Sequence, residues 1–229
     1  MTRFQVISVG RDVQAGERAV AEDFRRAMSQ RGTLVVNVLS SPGSGKTSLL
    51  AATVDRFPAS LRCGVLVGDI ATDRDAQRLA NHVPVVQLTT GGACHLEFPL
   101  IAAGWRALGE PSLDFLFLEN IGNLVCPASH DLGEHLRVLL LSTTEGDDKP
   151  AKYPKAFRTS HAVVISKIDL LPYVPFDIDR AIADARTVRA DLASFPVSVR
   201  PPQGIDAWCE YLLEQRACLL NGEPCRPNR

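Results

Sequence analysis

Short, continuously apolar stretches recur along the chain and alternate with segments that are amphipathic or rich in Gly and Pro. These stretches are TLVVNVLS, LRCGVLVGD, VPVVQL, LDFLFLEN, HLRVLLLST and HAVVISK. Strands that are apolar at every position are typical of a parallel sheet covered by helices on both faces. The pattern therefore predicts a doubly wound α/β fold, in which ligands bind at the carboxyl ends of the strands.

An amphipathic helix is predicted ahead of the first strand. Within 16–30, Val20, Phe24 and Met28 recur every four residues among charged neighbours, which is the stripe of a helix with one buried face. Gly32 follows the stripe and offers a helix stop. We expect this helix to pack on the domain that follows.

The end of the chain returns to helical periodicity. Segments 177–192 and 205–220 are predicted as helices, with a last strand at 195–199 between them. No internal repeat or low-complexity linker indicates a second large domain. The predicted organisation is an N-terminal arm and helix over 1–32, one α/β domain over 33–221, and a flexible tail over 222–229.

Composition narrows the function classes. The 229 residues suit one hydrophobic core, and 25 basic against 26 acidic residues give a net charge of −1 with no basic tail, which does not favour nucleic-acid binding. No apolar run approaches the length of a membrane span. The six cysteines are scattered and do not resemble a secreted disulfide framework, so a reducing cytoplasm is expected.

A glycine-rich loop follows the first predicted strand. Ser40-Ser41-Pro42-Gly43-Ser44-Gly45-Lys46-Thr47 runs into the apolar helix start Ser48-Leu49-Leu50. In such a loop, backbone N–H groups surround phosphate oxygens, the lysine contacts the outer phosphates and the threonine binds Mg²⁺. Ser40 stands where the usual pattern has glycine, and a Ser/Gly turn before a helix is the alternative. The predicted phosphate-binding residues are Gly43, Ser44, Gly45, Lys46, Thr47 and Ser48.

Carboxylates follow two later strands. Glu119 and Gly122 end LDFLFLENIG, which puts a magnesium ligand beside a glycine that could approach the terminal phosphate. Asp69 ends another strand and is our first choice for a further Mg²⁺ ligand, with Asp75 second. The alternatives are a glutamate that only ends a strand and acidic residues that only cap a helix. With Lys46, we assign Glu119 and Gly122 to the predicted catalytic set.

The segment Ser166-Lys167-Ile168-Asp169 resembles the guanine-reading element of GTPases, normally Asn-Lys-x-Asp. The Asp169 carboxylate can accept two hydrogen bonds from guanine, whereas adenine would leave it unpaired. The Lys167 stem can cover the face of the base. Ser166 lacks the usual amide, so we expect guanine preference to rest on Asp169. A Lys/Asp turn before a proline is the alternative.

A thiol and an imidazole stand side by side in TTGGACHLE, as Cys94 and His95, and Cys126 follows in ENIGNLVCPAS. Such residues can form a metal site, although isolated cysteines are more often buried hydrophobes. His130 and His135 follow Cys126 and could be outer metal groups or surface histidines. The remaining cysteines, Cys63, Cys209, Cys218 and Cys225, have no pairing pattern.

Taken together, several strings resemble the HypB family, the GTPases that assist nickel insertion into NiFe hydrogenases. They are SSPGSGKTSLL, GDIATDRDAQRL, TTGGACHLE, FLENIGNLVCPASHDLGE, TEGDDKPAKYPKAF and SKIDLLPY, and the match covers most of residues 15–215. The resemblance implies a P-loop GTPase of the SIMIBI type. It assigns nickel or zinc binding to Cys94, His95 and Cys126, and GTP or GDP with Mg²⁺ to the phosphate loop.

The resemblance also implies partners. Family members dimerise with nucleotide bound and carry the metal between subunits, which suggests a homodimer, a HypA-type nickel chaperone and a hydrogenase large-subunit precursor as partners. Alternatives are a urease-type accessory GTPase, whose motif has a proline between cysteine and histidine, a P-loop small-molecule kinase, and a slow nucleotide-gated scaffold. Comparing GTP with ATP binding separates the kinase from the others.

Two further loops bear on the predicted nucleotide site. The family's closing loop departs from its usual form at 198–204, which affects the end of the base site. Asp147 and Lys149, in TEGDDKP, are interpreted as part of a solvated turn, and a contribution across the dimer is the alternative. Because Cys126 lies four residues beyond Gly122, we hypothesise that GTP moves this segment and so changes metal affinity.

Overall fold

The computed structural model describes residues 10–69 and 74–223, and no side chains for 10–15 and 17. The predicted arm at 1–9, the segment 70–73 and the tail residues 224–229 lie outside the described residues. Among the residues described, no helix is both long enough and apolar enough to span a bilayer.

The helices are α1 Gly10–Gln30, α2 Lys46–Arg56, α3 Arg74–Leu79, α4 Phe98–Ala107, α5 Lys149–Lys152, α6 Pro154–Thr159, α7 Ile178–Val188 and α8 Ile205–Leu220. Short 3-10 turns occupy Pro127–Ser129 and Ile168–Tyr173. The strands are β1 Leu34–Ser40, β2 Cys63–Asp69, β3 Val85–Thr89, β4 Phe115–Gly122, β5 Leu136–Ser142, β6 Ala162–Ser166, β7 Ala193–Pro196, β8 Ser198–Val199 and β9 Pro202–Gln203.

Strands β1 to β7 form one parallel sheet in the order β3-β2-β4-β1-β5-β6-β7. The predicted doubly wound α/β fold is confirmed. The register aligns the strand ends that carry polar residues, since Ser40 of β1 lies opposite Gly122 of β4, and Ser142 of β5 lies opposite Ser166 of β6. The glycine-rich loop, the Glu119 segment and the SKID segment therefore meet at one edge of the sheet.

The core lies on both faces of the sheet. Side chains that alternate along β1 belong to different faces: Val36 and Val38 pack with the α2 and α8 side, whereas Val35 packs with α4 and α1. This division explains why the central strands carry apolar residues on both faces. The polar residues lie at the carboxyl ends of these strands, between the helices that cover the two faces of the sheet.

Helix α1 packs on the α4 side of the sheet. Phe24 contacts Phe98 and Trp105 edge to face, with ring centroids 5.5 and 6.3 Å apart, and Met28 is buried. Gly32, with φ of 69°, follows the helix. The boundary between this helix and the domain after it stays a prediction.

The predicted boundaries near the chain's end need correction. Helix α7 ends at Val188, not at 192, because Arg189 turns to an extended backbone and donates to the Ser160 carbonyl from Nη1 (2.6 Å). The strand predicted over 195–199 is instead β7 at Ala193–Pro196 followed by the short β8 strand. Strand β8 pairs with β9 in a separate hairpin, which continuous hydropathy did not separate from β7.

Candidate functional site

The glycine-rich loop between β1 and α2 has the backbone geometry of a phosphate cradle. Gly43 and Gly45 have φ of 74° and 97°, a left-handed region that favours glycine. Lys46 is buried, and its Nζ donates to the Ser40 hydroxyl (2.9 Å). Burial lowers the pKa of Lys46, and the nearby Glu119 carboxylate opposes this shift. A phosphate beside Lys46 would supply the negative charge that a buried ammonium needs.

Thr47 and Glu119 form the adjacent candidate magnesium site. The Thr47 hydroxyl donates to Glu119 Oε1 (2.8 Å), while Glu119 Oε2 is buried without a hydrogen-bond partner among the described residues. Burial raises the pKa of Glu119 to about 7. A buried carboxylate oxygen without a partner fits a hard cation or its bound water, so these residues are suited to Mg²⁺.

Asp69 and Asp75 are further carboxylates near this site. Asp69 ends β2, and Asp75 lies in the first turn of α3, where it pairs with Arg78 Nη1 at 3.3 Å. Both negative charges contribute to the raised pKa of Glu119. Both therefore remain candidates for binding or orienting Mg²⁺, and the intervening residues 70–73 lie outside the described part of the chain.

Gly122 forms the contact between the end of β4 and the phosphate loop. A Cβ atom built on Gly122 would lie 2.8 Å from Pro42 Cα and 2.9 Å from Pro42 N. Only glycine fits here without moving the loop, because carbon atoms normally approach to about 3.5–4.0 Å. The sequence predicts Gly122 as a sensor of the terminal phosphate, and in the structure its backbone lies against Pro42.

The SKID segment lies against the phosphate loop. Lys167 has φ of 60° and donates from Nζ to the Gly43 carbonyl (2.7 Å), and the Ser166 hydroxyl donates to the Ser44 carbonyl (2.8 Å). The base-reading and phosphate-binding loops are thus joined through two hydrogen bonds. The hydroxyl of Ser166 therefore braces the loop, although it lacks the amide of the usual element.

Asp169 is held in place by the closing loop. Ser198 Oγ donates to Asp169 Oδ1 (2.8 Å), which leaves Oδ2 and further lone pairs for a ligand. Lys167, Asp169 and Ser44 line a cavity of about 950 Å³ that is closed on one side by the hairpin of β8 and β9. This volume can accommodate a nucleoside with its phosphates on the P-loop. Ser198 was not among the predicted site residues.

The turn after β5 also belongs to the site, which sequence analysis did not foresee. The Glu145 carboxylate contacts the Ser44 hydroxyl and accepts from the Ser142 N–H (3.2 Å), and Lys149 Nζ lies 3.8 Å from its other oxygen. The side chains of Asp147 and Lys149 are only 18% and 19% exposed, so interpreting this segment as a solvated turn was wrong. The turn is half-buried, and Glu145 joins it to the phosphate loop through Ser44.

Cys94, His95 and Cys126 converge as a candidate metal centre. Their ligand atoms all lie within 4.8 Å of one another. The two sulfur atoms are 2.9 Å apart, and Cys94 Sγ is 3.8 Å from His95 Nδ1. The Cys126 thiol raises the pKa of Cys94 through their hydrogen bond. Thiolate and imidazole donors suit Zn²⁺ and Ni²⁺, so the donor set fits the predicted metals.

The metal centre is tied to the segment that follows Gly122. Asn123 Nδ2 donates to the Cys94 carbonyl (3.3 Å), and Asn123 Oδ1 accepts from the Val125 N–H (2.8 Å). Beyond Cys126 lies a 3-10 turn at Pro127–Ser129, which begins the long crossing to β5. The segment after Gly122 is therefore hydrogen-bonded to the loop that carries Cys94.

The remaining described cysteines lie elsewhere. Cys63 and Cys209 are buried in the core, where desolvation raises the pKa of each to about 12. Cys218 is half-buried in α8, and Cys225 is outside the described residues. Both thiols are buried among apolar side chains, which supports a packing role for Cys63 and Cys209.

Comparison with known proteins agrees with this arrangement. Residues 34–196 match the family described as the CobW/HypB/UreG nucleotide-binding domain. The hydrogenase maturation factor HypB of Escherichia coli K12 is 42% identical over 217 residues, which are 94% of this chain and 75% of that protein. The chain belongs to the HypB family. An archaeal relative from Methanocaldococcus jannaschii, named as a probable HypB, is 34% identical and covers 90% of this chain and 94% of its own.

Solved HypB structures have the same fold. HypB from Helicobacter pylori, in complex with nickel, is 36% identical with a TM-score of 0.83 over 88% of this chain and 95% of that one. HypB from Archaeoglobus fulgidus is 32% identical with a TM-score of 0.82, covering 88% and 99%. The signal recognition particle receptor FtsY from Elizabethkingia anophelis, at 13% identity and a TM-score of 0.54 over 84% and 73%, shares the fold alone. The predicted SIMIBI-type P-loop fold and the HypB resemblance are both confirmed.

Proposed function

We propose that this HypB-family chain is a GTP-hydrolysing metallochaperone that assists nickel insertion into the large subunit of a NiFe hydrogenase. The observation that carries the proposal is the contact of Gly122 with Pro42, four residues before Cys126, since it joins a phosphate loop to a metal-donor group. The relatives named as hydrogenase maturation factors and the nickel complex of the Helicobacter pylori protein support the same cargo.

Catalysis would depend on positioning the phosphates and on neutralising their negative charge. Lys46 would hold the outer phosphates, and Thr47 and Glu119 would hold Mg²⁺, which neutralises charge on the phosphate oxygens when it is bound. Gly122 presents its backbone close to the phosphate loop, where its N–H could meet the terminal phosphate. Asp69 and Asp75 complete the acidic surroundings, and we expect turnover to be slow.

Guanine selectivity rests on Asp169. With Oδ1 occupied by the Ser198 hydroxyl, the carboxylate is fixed in orientation and keeps lone pairs for the ring N–H and exocyclic amine of guanine. Adenine offers an acceptor at the ring position, so it would leave the carboxylate unpaired. Asp169 and Lys167 both line the cavity, which supports GTP and GDP as the ligands.

Coupling between the two sites requires contacts that differ between nucleotide states. A terminal phosphate acting on Gly122 would shift the 123–126 segment, on which Asn123 holds the Cys94 carbonyl and Cys126 meets Cys94. Such a shift alters the distance between the donors and hence metal affinity. GTP hydrolysis would then reset the site and favour transfer of the metal.

A homodimer would bring two such donor groups together. One chain contributes Cys94, His95 and Cys126, so two chains offer more donors than a four-coordinate ion needs. The partners expected from the family are a HypA-type nickel chaperone and a hydrogenase large-subunit precursor. We keep nickel and zinc as alternative occupants because the donors accept both.

The test is size measurement with metal analysis on one sample, in GDP and in a non-hydrolysable GTP analogue. We expect a dimer with bound metal in the analogue and a shift towards monomer in GDP, with GTP hydrolysed in preference to ATP. Equal ATP and GTP turnover would favour a P-loop small-molecule kinase. A chain that dimerises without measurable hydrolysis would favour the scaffold role.

One relative supports urease as a second protein that could receive the metal. The Helicobacter hepaticus protein named as a hydrogenase/urease maturation factor HypB is 43% identical over 202 residues, covering 86% of this chain and 83% of its own. The adjacent Cys94 and His95 lack the intervening proline of urease-specific accessory GTPases, so hydrogenase remains the first choice. Metal transfer to apo-urease and to a hydrogenase precursor would separate the two.

A further inference from the structure

We propose that His130 supplies a fourth ligand to the Cys94, His95 and Cys126 site, so that one chain completes a four-coordinate site for Ni²⁺ or Zn²⁺. The inference rests on the proposed metal-binding function of those three residues. It adds a donor from a different segment, the turn that leads from Cys126 to β5. It also changes what the dimer must contribute.

The hydrogen bonding of His130 fixes which nitrogen is free. Nδ1 of His130 lies 2.9 Å from the Cys126 carbonyl oxygen. A carbonyl oxygen can only accept, so Nδ1 carries the proton and Nε2 of the neutral ring bears a lone pair. Metal-binding histidines usually donate the other N–H to a carbonyl or a carboxylate in this way. His130 is therefore in the tautomer that a ligand needs.

The position of His130 is set by the chain itself. Cys126 precedes the 3-10 turn Pro127–Ser129 and His130 follows it, and the Ser129 and His130 N–H groups donate to the Cys126 and Pro127 carbonyls (3.1 and 3.3 Å). The turn holds His130 beside Cys126. The half-buried His130 ring stacks on His95, with centroids 3.9 Å apart and planes inclined by 19°. No described residue contacts Nε2 of His130 through a hydrogen bond.

His95 is arranged in a complementary way. Its Nε2 lies 3.4 Å from Glu97 Oε1, so Nδ1, at 3.8 Å from Cys94 Sγ, is directed to the metal-donor group. Zinc-like bond lengths of about 2.3 Å to sulfur and 2.0–2.1 Å to nitrogen separate tetrahedral donors by about 3.3–3.8 Å. The Cys94–His95 distance meets this range. The sulfur pair must open from 2.9 Å to about 3.8 Å. His130 is not part of the group whose ligand atoms lie within 4.8 Å of one another, so its ring must leave the stack on His95 to bring Nε2 to the ion.

The consequence concerns the order of events. With three donors per chain, a four-coordinate site without solvent needs two subunits. With His130 added, the set becomes two thiolates and two imidazoles, a donor set common in four-coordinate zinc sites. A monomer can then be loaded first. Dimerisation would rearrange or compress a filled site and is not required to create one.

The test is the number of imidazoles per bound ion, measured by X-ray absorption on the GDP-bound, zinc-loaded and nickel-loaded protein. The variant is His130→Phe, which keeps a ring for stacking and removes the donor. The control is His82→Phe, which removes a histidine paired with Asp55 on α2, away from the metal centre. We expect two imidazoles in the wild type and in the control, and one in His130→Phe. Metal affinity, measured against a chromophoric chelator, should fall by about tenfold or more in His130→Phe only.

Two results would overturn the inference. One imidazole in the wild type would exclude His130, and this result does not depend on any variant folding. Two imidazoles retained in His130→Phe would assign both to His95 of two subunits. The proposed function fails separately, if Cys126→Ala binds metal as tightly as the wild type. Loss of metal in Cys126→Ala with no change in His130→Phe removes only the fourth ligand.

Discussion

Substituting Gly122 by Ala should disturb nucleotide binding through a single steric contact. The new Cβ would lie 2.8, 2.9 and 3.1 Å from Pro42 Cα, N and Cγ, and two of these atoms are backbone of the phosphate loop. Gly122 is not among the glycines with positive φ, so alanine adds no backbone strain and the effect is purely one of space. Overpacking of this kind costs about 1–3 kcal/mol, which corresponds to a roughly 5- to 150-fold weaker ligand if the cost falls on the bound loop.

The assay is a fluorescence titration of GDP and of a GTP analogue, with urea unfolding of the free protein in parallel. We expect the analogue to lose more affinity than GDP, because Gly122 faces the region of the terminal phosphate. Gly16→Ala is the matched control, since nothing lies within 4 Å of its added Cβ and the position is helical. If Gly122→Ala bound both nucleotides like the wild type, the Pro42 contact would have no role and the coupling route would be lost.

Three further predictions concern single groups. Asp169→Asn should weaken GTP binding by about 100-fold or more. The variant should instead bind xanthosine triphosphate, whose 2-oxo group accepts a hydrogen bond from the new amide. If the variant still preferred GTP in a competition assay, Asp169 would not be the residue that recognises guanine. Glu119→Gln should lower Mg²⁺-dependent GTP hydrolysis at least about 100-fold, measured as phosphate release, while Mg²⁺-free nucleotide binding persists. Burial lowers the pKa of His161 from 6.5 to about 4, so the folded state disfavours the protonated ring. The free energy of unfolding therefore has its full value above pH 6.5 and falls by about 3 kcal/mol at most as the pH drops towards 4. Urea unfolding of His161→Gln between pH 7 and 4.5 should therefore show a shallower decline than the wild type, and an equal decline would refute the reasoning.

The strands of the sheet could be predicted because the burial of a strand determines the pattern of its own residues. The central strands are buried on both faces and so are largely apolar. Ser40, Glu119 and Ser166 mark strand ends that a parallel sheet must bring to one edge. The end of α7 was not predictable in the same way. It depends on Arg189 finding the Ser160 carbonyl, a contact between residues far apart in sequence.

The site was predicted where a motif specifies its chemistry and missed where only packing does. Lys46, Thr47 and Asp169 follow from residue type and spacing. The contact of Gly122 with Pro42 and the hydrogen bond from Ser198 to Asp169 depend on the exact approach of separate segments. Glu145 was overlooked because an acidic residue in a Gly/Asp turn is usually solvated. The one available signal was the buried strand β5 that leads directly into that turn.

In the proposed mechanism, the bound nucleotide controls the affinity of the Cys94, His95 and Cys126 site for metal. The most direct measurement is the affinity for Ni²⁺ and Zn²⁺ with GDP and with a non-hydrolysable GTP analogue, in the wild type and in Cys126→Ala. We expect a roughly 5- to 150-fold difference in metal affinity between the nucleotide states of the wild type, the usual range of coupling between two sites, and no difference in Cys126→Ala. Equal metal affinities in the two nucleotide states of the wild type would contradict it.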